Sequence, residues 1–296
     1  MPSERGLKMR KKSKPSLFRF LTVFPAVLYC LGLILLPILY IIFLSFLTSD
    51  SYGGFTYDFT LNNYAEIFDS TYLLMFLKSS GIALLVTLLT LLISYPFAIF
   101  LMDKSEKTQN FLIKLVMIPF LTNSLIRTYG WIILLRKNGL INSALLSTGL
   151  ISSPLSLMYN TLGIIIGMTY TLLPFMILPI YSAVSKVDKN LVSAAKDLGA
   201  SKLKVFKEVY LPLTLSGAFN GSLMVFIPAI GYFFIADILG GGKVMIIGNL
   251  IKNQFLTARN WPFGAALSVF LLLITFLLLK IYKKIGGRLD ELGGGA

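Results

Sequence analysis

Uncharged stretches long enough to cross a lipid bilayer recur six times along the chain. Spanning the hydrocarbon core takes about 20 apolar residues per helix. A charge at the bilayer centre costs about 2.5 to 3.5 kcal/mol on insertion scales, so long runs without charge read as spanning helices. Residues 20–49 carry no charge. Their apolar part, 21–46, is too long for the apolar segment of a secretion signal and no small-residue cleavage site follows it, so it reads as a retained first helix. Further spans are predicted at 79–102, at 115–135 with Arg127 as its one interruption, and within 162–181, 213–234 and 263–279. The apolar stretch 244–251 is too short to cross. Pro25, Pro37, Pro96, Pro119, Pro174, Pro179, Pro228 and Gly231 fall inside the runs, where each proline removes a backbone donor and can kink the helix. No internal repeat is apparent.

Charge tests the count. Short cytoplasmic loops collect Lys and Arg. Placing the loops alternately on two sides puts the N-terminal tail, the second-to-third loop, the fourth-to-fifth loop and the C-terminal tail together, and these hold 20 of the 27 basic residues. Both termini are therefore predicted to be cytoplasmic. On the opposite side Lys78, Arg127, Arg136, Lys137, Lys243, Lys252 and Arg259 are nearly balanced by Asp50, Asp58, Glu66, Asp69 and Asp237.

Composition agrees with a membrane protein. Of the 296 residues 56% are hydrophobic and 14% charged, with a mean hydropathy of +0.79, whereas soluble domains are about one-quarter charged. The net charge of +14 reads as topology signal, with no nucleic-acid partner implied. Histidine is absent and Cys30, within an apolar run, is the one cysteine. An intramolecular disulfide is excluded, and a metal site or a catalytic constellation cannot be assembled from these residue types. No cofactor is implied. Gly240-Gly241-Gly242-Lys243 is no phosphate loop, because Asp237 stands where the first glycine belongs and Val244 where a Ser or Thr is needed.

The chain divides into a basic tail over 1–20, a six-span region over 21–281 and a Gly-rich, flexible tail over 282–296. Within the second lies a loop at 187–212, VDKNLVSAAKDLGASKLKVFKEVYLP. Leu191, Ala194, Ala195 and Leu198 recur at helical spacing and line one face of a short helix. Gly199 is a helix stop and Ser201 an N-cap. Leu203, Phe206 and Tyr210 continue an apolar stripe on a second short helix until Pro212 opens the fifth span. Such a basic amphipathic loop could lie on the anionic inner leaflet or receive another protein against its small residues.

Spacing favours the second reading. Ala194-Ala195, three residues, Gly199, nine residues, Val209, one residue and Leu211-Pro212 resemble the signature loop of ABC-importer inner-membrane permeases, usually Glu-Ala-Ala, three residues, Gly, nine residues, Ile, one residue, Leu-Pro. Ser193 stands where that family has Glu. The resemblance implies an all-α, six-helix type I importer permease of MetI-like architecture. It also implies a coupling helix that docks on a separate ATPase through Ser193, Ala194, Ala195, Asp197, Leu198, Gly199, Ala200, Ser201, Phe206 and Pro212. Partners implied in the same way are a homologous second permease subunit, two copies of the ATPase and an extracytoplasmic substrate-binding protein.

Other segments resemble the first permease subunit of spermidine/putrescine importers. They are Pro119, Arg127, Tyr129, Trp131 and Asn138-Gly139-Leu140, then Pro228, Gly231, Phe233, Asp237, Gly240-Gly241 and Ile247-Gly248-Asn249, and finally residues 260–265 before the sixth span. The chemistry suits a polycation, for which aromatic faces and carboxylates are the fitting groups. Asp237 with Tyr232 and Phe233, together with Tyr129, Trp131 and Arg127, is the candidate substrate pathway. An interfacial Asp and an aromatic belt would explain the same residues without a substrate. Arg127 is expected to pair with a carboxylate or with backbone carbonyls. Another small organic solute remains an alternative cargo. An ion-coupled secondary transporter is a further alternative, though its intramembrane acids are missing.

Overall fold

The computed structural model describes residues 17–293. Most of the basic tail and residues 294–296 lie outside the described residues. In chain order, α1 (Leu17–Leu44) leads into a short antiparallel hairpin, β1 (Leu47–Ser49) and β2 (Phe55–Phe59), and then α2 (Asn62–Ile67) and α3 (Ser70–Met102). Next come α4 (Glu106–Met117), a 3₁₀ turn at Ile118–Leu121, α5 (Ser124–Leu135), α6 (Leu140–Ser147) and α7 (Thr161–Val184). The last part holds α8 (Lys189–Asp197), α9 (Lys202–Val205), a π turn at Phe206–Tyr210, α10 (Leu211–Gly231), α11 (Phe233–Gly240), α12 (Ile247–Leu256) and α13 (Trp261–Gly293).

The centre is formed by α3, α7 and α10, which pack on one another. On α7, Ile164, Met168, Leu172, Met176 and Ile180 recur every fourth residue, so they stack on one face and are fully buried. They share one cluster with Ala83, Val86 and Ala98 of α3 and Val225 and Ala229 of α10. By contrast, α1 packs on α13 and leaves Leu28, Leu33, Ile34 and Leu36 exposed.

Among the described residues five helices are long and apolar enough to cross a membrane, or six when the bent segment around residue 120 counts as one. That segment corrects the expectation of a continuous third span over 115–135. The two arms, Glu106–Leu121 and Ser124–Ser147, meet at 97°. Pro119 carries no amide donor, Thr122 is extended, and the side chain of Asn123 caps the new helix by accepting from the Leu125 N–H at 2.8 Å.

The fourth-to-fifth loop also differs from expectation. Its second short helix does not stop at Pro212, but runs through the π turn into α10 as one helical segment, Lys202–Gly231. Proline at 212 offers no N–H to the Glu208 carbonyl and its ring crowds that group, and the widened turn accommodates both. At the far end helix stops at Gly231, so Phe233 and Phe234, expected in the fifth span, belong to α11. Helix α13 continues to Gly293, so the tail expected from 282 begins in helix. The hairpin was not anticipated. Its tip is held by the Gly54 N–H donating to the Arg259 carbonyl at 2.9 Å, which joins it to the α12–α13 turn.

Candidate functional site

The residues singled out from the sequence gather at opposite ends of the α3–α7–α10 core. At one end is α8. The Asp188 carboxylate caps it by accepting from the Asn190 N–H at 2.9 Å. At its close the Ala200 N–H donates to the Ala195 carbonyl and the Gly199 N–H to the Lys196 carbonyl, the two bonds of a Schellman motif. Gly199 sits at φ +80°, a left-handed conformation that side chains resist. The Ser201 hydroxyl then accepts from the Lys204 N–H at 3.3 Å, so the stop and the cap read from the sequence are both present.

None of the residues of α8 is buried. Ser193, Ala194, Asp197 and Leu198 are exposed, Leu198 at 89%, while Ala195 and Ala200 are half-buried. Beside α8 a groove of about 430 Å³, floored by Ala183 and Gly217, separates it from α7 and α10. Leu198 stands in the open, and Leu191, itself exposed, lines the groove. Phe206 departs from the expected docking set. It turns inward, half-buried, with its ring edge-on to Tyr95 at 5.3 Å, and its neighbour Val205 is buried. Leu203 and Pro212 stay exposed.

At the other end lies Asp237, on α11. One carboxylate oxygen accepts from the Asn249 amide and the other meets the Lys252 ammonium at 2.6 Å. Asn249 also donates to the Phe233 carbonyl at 3.0 Å and accepts from the Ile246 N–H at 3.2 Å, which locks α12 onto α11. The carboxylate is therefore neutralised within the chain. The side chains of Lys252 and Asp237 are 27% and 37% exposed, so water reaches the pair from one side. Around it Tyr232 and Phe234 pack edge-on at 4.9 Å, and Phe233 meets Phe234 at 6.3 Å.

Helix α5 packs against α11. Trp131 packs edge-on against Tyr170 of α7 at 5.2 Å, and Tyr129 is exposed. Arg127 donates to the Pro119 carbonyl at 2.5 Å, the backbone pairing expected for it, and so braces the bend in the third span. Among the described residues no hydrogen bond or ion pair joins Arg127 or Tyr129 to Asp237. Asn249 and Lys252 were not singled out as site residues. A signal existed: they are three residues apart on a short helix, hence on one face.

Three comparisons bear on identity. The family described as "Binding-protein-dependent transport system inner membrane component" matches residues 11–291. The spermidine/putrescine transport system permease protein PotB of Escherichia coli (strain K12) is 46% identical over 258 residues, covering 87% of this chain and 94% of its own. The protein of that name from Haemophilus influenzae is 41% identical over 274 residues, covering 93% and 96%. A solved structure, that of a bacterial alginate ABC transporter in complex with alginate pentasaccharide-bound periplasmic protein, matches with a TM-score of 0.75 at 12% identity, over 95% of this chain and 98% of the other. At that identity the likeness concerns the fold.

Proposed function

We propose a cargo and a coupling route for this chain, which belongs to the binding-protein-dependent transport system inner membrane component family and is a multi-pass permease subunit of a bacterial ABC importer in the inner membrane. The cargo is a polyamine of the spermidine/putrescine class. The observation that carries this is 41% and 46% identity, over most of the chain, to relatives named for that transport.

In this reading the chain pairs with a homologous second permease subunit, receives cargo from an extracytoplasmic binding protein, and is driven by two copies of a separate ATPase. Both termini and the 187–212 loop lie on the cytoplasmic side. The exposed apolar face of α8 supports ATPase docking, since a helix with no buried residue gains little from its own chain and has Leu191 and Leu198 free to be covered by another. Ser193 in place of Glu removes one polar contact from that surface. A pair of cysteine variants tests the sides. In a Cys30→Ser background a membrane-impermeant thiol reagent should label Ala258→Cys and spare Ser201→Cys in intact cells. Labelling at 201 would reverse the topology.

At the opposite end Asp237 is the acid that a passing ammonium meets, with Tyr232 and Phe233 beside it. Lys252 holds the carboxylate until a cargo ammonium competes for it. An exposed pair contributes about 1 kcal/mol or less, whereas breaking a buried one costs about 3 kcal/mol or more, and this half-open pair lies between. Such a pair is weak enough to exchange. Asp237→Asn keeps the shape and removes the charge. Uptake of labelled spermidine at limiting concentration should fall about fivefold at equal membrane abundance. Parental uptake in that variant would reduce Asp237 to a structural tie between α11 and α12.

A further inference from the structure

Between the exposed helix α8 and the transmembrane core stands one buried polar chain. Thr214, on the first turn of α10, is fully buried, and its hydroxyl is 2.6 Å from the Tyr210 carbonyl in the π turn and 3.1 Å from the Tyr95 hydroxyl on α3. A carbonyl only accepts, so the single Thr214 proton goes to Tyr210. The Tyr95 O–H must then donate to the Thr214 oxygen. The result is a directed relay, from Tyr95 to Thr214 to the Tyr210 carbonyl, that joins α3 to α10 across 119 residues of sequence.

The relay sits where the helix is least regular. A π turn lets the helix widen or tighten, and the Thr214 hydroxyl adds a side-chain bond to the carbonyl of Tyr210, the last residue of that turn. One turn earlier, Phe206 rests edge-on against the same Tyr95 ring. Tyr95 therefore grips the π segment twice, by its ring at the start and through Thr214 at the end. Upstream lie only α9 and the Gly199 turn, which lead directly to α8. Without the grip, a push on α8 would be absorbed by the soft turn. With it, the push moves α3 and α10 together, and these two helices with α7 make the core.

We infer that Tyr95 is a positioning residue for transport: it makes the Phe206–Tyr210 turn rigid enough to carry movement of α8 into α3 and α10. This rests on the coupling role proposed for α8. It adds a residue outside the 187–212 loop, on a different span, to the path between ATP hydrolysis and cargo.

The test uses the assembled importer in proteoliposomes, with labelled spermidine and the binding protein, and reads ATP hydrolysed per spermidine delivered. Tyr95→Phe keeps the ring against Phe206 and deletes only the donor. We expect that ratio to rise at least threefold while complex recovery and melting temperature match the parent. Thr214→Val should behave likewise, the double variant no worse than either single one, and Thr214→Ser, which keeps the hydroxyl, should stay at the parental ratio. An unchanged ratio in Tyr95→Phe would overturn the relay. So would a raised ratio that comes with an equal loss of complex recovery or melting temperature, because the bond would then be a packing tie only. A parent complex whose hydrolysis ignores the loaded binding protein would overturn the coupling reading itself, whereas a coupled parent with an indifferent Tyr95→Phe overturns the relay alone.

Discussion

At the seam between α7 and α10, a Cβ added to Gly217 would run into the Ala183 side chain and lie 2.8 Å from the Pro179 carbonyl oxygen, and one on Gly221 would lie 2.7 Å from the Met176 sulfur. At the turn after α8, a Cβ on Gly199 would meet nothing within 4 Å, yet the backbone there is at φ +80°. The first pair of glycines is needed for space and the second site for conformation. Small residues let membrane helices approach closely, and dispersion then holds them. A turn glycine instead permits a chain direction that leaves α8 standing clear of the core. One region is packed within this chain, and the other is left uncovered by it and is the surface proposed to dock.

Substitutions should separate the two. Gly217→Val forces a branched side chain into backbone and side-chain atoms that have nowhere to go, at a cost of about 1–3 kcal/mol or more. Its largest effect should be on the protein itself, with membrane abundance falling severalfold and transport falling in proportion. Normal abundance would mean that α7 and α10 part more easily than their contacts suggest. Gly199→Asp should leave abundance near the parent, because nothing in this chain crowds the site. It should still cut transport several-fold and reduce co-purification of the ATPase, since charge and bulk enter the surface proposed to dock. Gly199→Ala isolates the conformational part. It adds strain of about 1 kcal/mol and no charge, so its effect should be the smallest, within about twofold of the parent. If alanine and aspartate at 199 act alike, conformation rather than docking governs that turn.

The relay and the Asp237 pair extend the same contrast. Tyr95 and Thr214 belong to the closed core yet face the soft segment that leads outward to α8. Asp237 and Lys252 close upon each other but remain open to water on one side. Each lies at a boundary between the packed core and a surface the chain leaves open.

The apolar stretches, the uneven spread of charge among the loops and the exposed helix of the 187–212 loop were legible in the sequence, since each follows from single-residue transfer into lipid or from neighbours a few positions apart. The Gly199 stop and the Ser201 cap belong to that class. The break in the third span was foreshadowed by Pro119, but proline occurs in continuous spans of this chain too, at Pro96 and Pro174. Only the Asn123 cap and the Arg127 brace turn that position into a 97° bend.

What hydropathy could not tell was which apolar helix faces protein. Helices α1 and α7 are both long and apolar, yet α7 is the most enclosed of the candidate spans and α1 exposes its leucines. In a membrane, lipid and protein interior are equally apolar, so the distinction rests on shape and small residues. The inward turn of Phe206, the pairing of Asp237 with a lysine 15 residues away and the Tyr95–Thr214 bond across 119 residues are tertiary facts of the same kind. The sequence by itself determined which stretches are apolar enough to cross, how the charges distribute along the chain and where the exposed loop turns. The tertiary structure decided which polar groups satisfy one another, because hydrogen-bonding partners are selected by packing of helices distant in the chain, and no local pattern encodes that distance.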